Sequence, residues 1–200
     1  MTAIWQRSIL VVGSLLAVAA FTWPLIGTAL PSDSRTAAPV IAIGVLPVLI
    51  IAVSLVLDRH VVSAKAIALL GVLIAVGTAV RIASTGLAGF EAVFIVLILG
   101  GRAFGARFGF LLGALTIALS SLMWGGIGPW TAFQMFAAGW VGAGAGLLPR
   151  TTQSSPDRAA RRREISWLIG YGIIASYLFG ALMNLWFWPF GVGPHTAVSY

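Results

Sequence analysis

Between Gly100 and Pro149 the chain carries two long apolar runs separated by a single glycine-rich turn. A bilayer core takes roughly 20 residues of helix to cross. In hydrocarbon every backbone N–H and C=O must be satisfied within the protein, so a run of this length and polarity folds as a helix. The turn holds Trp124, Gly125, Gly126, Gly128, Pro129 and Trp130, and the runs hold small residues three and four apart. This hairpin dictates the environment of the rest, which reads as more helices of the same kind.

Composition agrees. Sixty per cent of the residues are apolar and only 8% are charged, where soluble domains carry about 25%. The expected fold class is an all-α polytopic membrane protein with room for six or seven spans. The net charge of +7 is not a nucleic-acid signal, because the basic residues sit in short loops between spans, where the positive-inside rule places them. Without cysteine there is no disulfide, thiol nucleophile or thiolate metal site. The apolar stretch 9–26 is long for a signal sequence and lacks a small-residue cleavage pattern, so it reads as a retained first span.

In chain order, span one covers about 7–30 and contains Trp23-Pro24, where the proline kinks or ends it. Span two covers about 40–57, with Pro47 in its middle. Span three covers about 64–81, and its small residues Ala64, Ala68, Gly71, Ala75 and Ala79 fall on one side. Two readings stand for that side: packing within the bundle, or docking of a partner membrane protein. A short apolar segment, about 87–99, ends at Gly100-Gly101 and is too short to cross unaided. Span five covers about 104–123, with Gly105, Gly109 and Gly113 as a packing face continued by Thr116 and Ser120. Span six covers about 131–148 and is dense in glycine, without the sequence context of a phosphate loop. A hydrophilic loop, 149–164, carries five arginines, and the last span covers about 165–187.

With the short segment counted as a crossing and the N-terminus in the cytoplasm, ten of the twelve basic residues fall inside. Only Arg35 and Arg81 fall outside. That bias fixes the expected orientation. It gathers the 82–91 region, the turn at 124–130 and the end of the last span on the outer face. Tryptophans 124, 130, 186 and 188 meet there. They read either as an interfacial belt or as the aromatic walls of a ligand pocket, with Gln134, Glu91, Asn184 and Arg81 as its polar groups. No residue pattern supports catalysis: the two histidines, His60 and His195, fall on opposite sides, and no span holds paired carboxylates. Ionisable groups sit only at span ends, unlike those of pumps and channels, and no internal repeat suggests a secondary transporter.

Several stretches go further than periodicity can. They are GFE (89–91), GARFGFLLGAL (105–115), GGIGPW (125–130), FQM (133–135), AGWVGAGAGLLP (138–149) and MNLWFWPF (183–190). Together they resemble the substrate-specific subunits of energy-coupling-factor (ECF) vitamin transporters, in particular the actinobacterial branch grouped with cobalamin-type importers. The resemblance covers about 64–190. It implies a small membrane subunit, not an enzyme, with no cofactor of its own. Such a subunit captures a vitamin at the outer face of the cell membrane, and the resemblance makes cobalamin or a related corrinoid the candidate. The subunit delivers the vitamin inward with a transmembrane coupling subunit and two cytoplasmic ATPases that use the ATP.

The resemblance also divides the chain. Residues 1–63 are an extra pair of spans, and 64–200 are the substrate-binding core. Only five of the family's six core helices fit before Phe190, so a sixth is expected beyond Tyr200. The small-residue row Ala64, Ala68, Gly71, Ala75 and Ala79 would meet the coupling subunit. The pocket would be lined by Arg81, Thr85, Glu91, Trp130, Phe133, Gln134, Asn184 and Trp188. Gln134 and Asn184 would make polar contacts, and Trp130, Phe133 and Trp188 would stack on the ligand. Arg81 and Glu91 would serve the ligand or pair with each other. Two functions of other classes stand beside this one: a membrane scaffold or assembly factor, which needs no pocket, and a self-sufficient secondary transporter.

Overall fold

A computed structural model describes residues 3–22, 44, 63–84, 92–124, 126–128, 130–149 and 158–187. These form six helices: α1 (Ala3–Phe21), α2 (Ala64–Ser84), α3 (Val93–Phe104), α4 (Ala106–Trp124), α5 (Trp130–Leu147) and α6 (Arg158–Phe187). The described residues contain no strand. Three helices, α2, α4 and α6, are long and apolar enough to cross a membrane. The second expected span, about 40–57, lies outside the described residues apart from Gly44.

The distribution of apolar surface explains why a bilayer is needed. On α2, Ile67, Val72 and Val76 are exposed, and on α6 so are Ile169, Ile173, Ile174 and Leu178. Contiguous apolar surface of this extent is rare on soluble monomers. The hydrophobic effect does not drive such helices together in lipid. Close van der Waals packing and interhelical hydrogen bonds do.

The centre of the bundle is the α3–α4–α5 contact, and glycine makes it possible. A Cβ at Gly101 or at Gly109 would overlap the Gly142 carbonyl oxygen, and one at Gly142 would overlap the Gly109 carbonyl. A Cβ at Gly113 would overlap the backbone at Ala138 and Gly139, and one at Gly146 would overlap the backbone at Gly105 and Ala106. The backbones therefore touch along several turns. Leu97, Leu112, Ile117 and Val141 fill the space to one side of this spine, and Phe110, Phe133 and Phe136 fill the other.

Several expected boundaries change. The short segment does not stop at Gly100-Gly101: α3 continues through both to Phe104. These glycines are packing surfaces, Gly100 against Leu112 and Gly101 against Gly142. The break falls at Gly105, whose φ of 92° suits glycine. Gly105 thus leaves the expected packing face, and a Cβ there would meet nothing within 4 Å. Thr116 and Ser120 leave it too, because they face α2: Thr116 abuts Gly77 and Ser120 meets Arg81. Helix α1 stops at Phe21, short of Pro24, as the restriction on residues preceding proline favours. The arginines at 158–163 belong to the first turns of α6 rather than to a loop.

Contacts fix the relative directions of the helices. At one end, the Arg102 guanidinium makes a two-pronged pair with the Glu164 carboxylate, Nη2 to Oε2 at 2.8 Å. It also donates to the carbonyls of Leu148 (2.6 Å) and Pro149 (2.9 Å) just past α5. One side chain thereby ties α3 to α6 and caps a helix C-terminus with positive charge. Higher up α6, the Tyr171 hydroxyl donates to the Val141 carbonyl at 2.7 Å, and Gly144 leaves room for its ring. At the other end, Phe21, Phe133 and Trp186 bring α1, α5 and α6 together. Helices α1 and α2 both run from the Arg102 end towards the opposite end: Val11 lines one groove with Arg107 and Phe21 packs on Phe133, while Leu73 lies by Gly100 and Arg81 meets Ser120.

Candidate ligand-binding site

Two separate groups of side chains lie towards the end of the bundle that carries the 124–130 turn. The first is a polar seam between α2 and α4. Thr78, Arg81 and Ser84 lie three residues apart on α2, and Thr116 and Ser120 lie four apart on α4, so each set shares a helix face. Arg81 Nη1 donates to Ser120 Oγ at 2.8 Å. Ser120 Oγ in turn donates to the Ile117 carbonyl at 3.0 Å, and Ser84 Oγ donates to the Arg81 carbonyl at 3.2 Å. Thr78 and Thr116 are also buried, and their hydroxyl oxygens have no hydrogen-bond partner among the described residues. An unsatisfied buried hydroxyl costs about 1–3 kcal/mol. The helix crossing keeps two such hydroxyls enclosed, on the same helix faces as the Arg81–Ser120 pair. The crossing itself is close, since a Cβ at Gly77 would lie 3.0 Å from Thr116 Cγ2.

The seam makes its own prediction. Thr116→Val keeps the shape and removes the unpartnered oxygen, so it should raise thermal stability, by about 1 kcal/mol. A fall in stability, read by thermal unfolding in detergent, would mean that the hydroxyl is already satisfied within the protein.

The second group is aromatic. The Trp130 ring lies 6.2 Å from both Trp186 and Phe187. Phe133 sits 4.9 Å from Phe21 and 5.7 Å from Trp186. The turn that presents Trp130 is closed by Thr131, whose Oγ1 accepts from the Gly128 N–H at 2.9 Å while its own N–H returns to the Gly128 carbonyl. A Cβ at Gly128 would lie 2.5 Å from the Trp130 ring, so a larger residue there would displace the ring. Trp124, by contrast, is 63% exposed among exposed Leu122 and Met123, as an interfacial tryptophan would be.

The expected pocket residues are distributed over these groups. Arg81 lies in the seam. Trp130 is half-buried in the aromatic group, and Phe133, buried on all sides, supports it from behind. Gln134 is half-buried one turn further along α5, and Asn184 is exposed on α6. Thr85, Glu91 and Trp188 lie outside the described residues. Sequence reasoning missed Phe21, Thr78 and the inward role of Thr116. The threonines had a legible signal, polar residues at helical spacing in otherwise apolar helices, whereas nothing in the sequence pairs Phe21 with Phe133. Among the described residues no group of His, Cys, Asp or Glu could hold a metal ion. The arrangement is suited to binding through hydrogen bonds, one positive charge and aromatic faces.

Comparison with known proteins finds no matching family model, no matching curated protein and no matching solved structure.

Proposed function

We propose that this chain is the substrate-binding membrane subunit of an ATP-driven micronutrient importer of the ECF kind. It captures a vitamin, with cobalamin or a related corrinoid as the candidate, at the outer face of the cell membrane and works with a transmembrane coupling subunit and two ATPases. The observation that carries the proposal is the disposition of α2. Ala64, Ala68, Gly71, Ala75 and Ala79 are all exposed, and a Cβ at Gly71 would meet nothing within 4 Å. The bundle packs instead on the face bearing Leu70, Gly77 and Thr78. Among the described residues, the small-residue row therefore packs against no other helix. A smooth small-residue face on a lipid-exposed helix lets a second membrane helix approach closely.

In this reading the N-terminus and the Arg102 end face the cytoplasm, as the arginine bias favours. The 124–130 turn then faces outward, and the seam and the aromatic group border the ligand. Residues 64–200 form the binding core, and α1, from the extra pair of spans, buttresses it through Ala17 and Phe21.

Binding tests the reading directly. The purified chain, titrated with a panel of vitamins that includes cobalamin, should bind one of them. Gln134→Ala and Trp130→Ala should each weaken that binding about tenfold or more. Affinity unchanged in both variants would remove the ligand from this end of the bundle.

A further inference from the structure

A second feature lies at the opposite end, independent of that reading. A groove of about 1110 Å³ runs between α1 and the junction of α3 with α4, floored by α5. It is larger than the roughly 300–1,000 Å³ of ordinary small-molecule pockets. Its walls are apolar, with Val11, Leu15 and Val18 on one side and Phe104, Phe110 and Leu147 on the other. Across it, Trp140 Nε1 donates to Ser14 Oγ at 3.1 Å, so the two polar groups of its floor satisfy each other.

One cation lines this groove. Arg107 is half-buried in the first turn of α4 and makes no hydrogen bond or ion pair with a described residue. Arg102, one turn earlier in the chain, is by contrast fully engaged with Glu164 and two carbonyls. The position of Arg107 is electrostatically unfavourable on its own. The N-terminus of a helix is its positive end, with N–H groups that lack intrahelical acceptors, and the first turn of α4 contains no acidic residue. A guanidinium added to that end calls for an anion, and the groove beside it calls for a hydrocarbon chain.

We propose that this groove is a binding site for an anionic phospholipid. One acyl chain lies between α1 and Phe104–Phe110, and the phosphate sits on Arg107 and the first-turn N–H groups of α4. The bound lipid would hold α1 against the bundle at the end where the described residues provide few contacts, since among them α1 meets α5 chiefly at Ser14, Ala17 and Phe21.

The test uses the full chain reconstituted into nanodiscs with equal amounts of palmitoyl-oleoyl phosphatidylglycerol and phosphatidylcholine. The protein is then released into detergent, and retained lipids are counted by native mass spectrometry. Wild type should keep phosphatidylglycerol in preference to phosphatidylcholine. Arg107→Gln should lower its retention about tenfold, with unchanged elution on size-exclusion chromatography. Arg162→Gln, at an exposed arginine of α6, should leave retention as in wild type. Ala143→Phe, which fills the groove, should abolish retention of both lipids, and it serves as the independent variant if Arg107→Gln does not accumulate. The proposal is overturned if either groove variant keeps phosphatidylglycerol like wild type, or if the two lipids are retained equally. Displacement of the lipid by a water-soluble vitamin would overturn it too, by making the groove the solute site.

Discussion

Replacing Gly142 with leucine should prevent α4 and α5 from closing, and the chain should no longer purify as a monodisperse folded protein. The milder Gly142→Ala should lower stability by about 3 kcal/mol, the upper end of overpacking costs. A Cβ at this position meets the Gly109 carbonyl carbon and oxygen and the Gly109 Cα, all backbone. No rotamer change relieves a clash with backbone, so the two helices must separate. The Gly142 carbonyl is itself held between Gly101 and Gly109, so separation also loosens α3. In lipid, where apolar contact with a neighbouring helix replaces equally apolar contact with acyl chains, this close packing is a main source of cohesion. Gly71→Ala is the control, because nothing lies within 4 Å of the added carbon. Thermal unfolding in detergent followed by size-exclusion chromatography separates the cases. Equal melting temperatures for Gly142→Ala and Gly71→Ala would contradict the packing described.

The second large effect concerns function without stability. Ala68→Leu and Ala75→Leu should leave the melting temperature and vitamin binding of the isolated chain unchanged. In the proposed transporter they should reduce ATP-dependent uptake to background. Both residues are exposed, so leucine side chains enter no part of the described bundle. They would, however, roughen the face that the coupling subunit is proposed to meet, and close approach of helices through small residues fails when a bulky side chain stands between the backbones. Unimpaired uptake in both variants would remove α2 from the coupling interface. A fall in stability without partners would show that the face already packs within the chain.

How much of this was legible beforehand follows from what each residue type can report. Apolar runs announce helices in a membrane because no other structure satisfies the backbone there; hence α2, α4, α5 and the apolar part of α6 fall close to where the sequence puts them. Glycine is ambiguous in the same setting. It ends helices in water, yet in lipid it also opens a surface for close approach, and Gly100-Gly101 does the second while Gly105 does the first. Only the partner helix distinguishes them, and no single sequence shows which backbone will face Gly101. The arginines behave similarly. Their count suggests an orientation, but not that Arg102 is consumed by Glu164 and the end of α5 while Arg107 lines a groove. At the candidate site, sequence reasoning found the aromatic turn because tryptophan, proline and glycine are conspicuous together. It read Arg81 and missed the buried hydroxyls beside it, because a threonine in an apolar helix reveals its burial only when the opposing helix is known.

The central claim, that this chain binds a solute and depends on partners to move it, is tested most directly by uptake of labelled vitamin into proteoliposomes. The chain is reconstituted alone, and then with a coupling subunit and two ATPases, in each case with and without ATP. The account predicts binding by the chain alone and accumulation only with partners and ATP together. Accumulation by the chain alone, driven by an ion gradient, would contradict it.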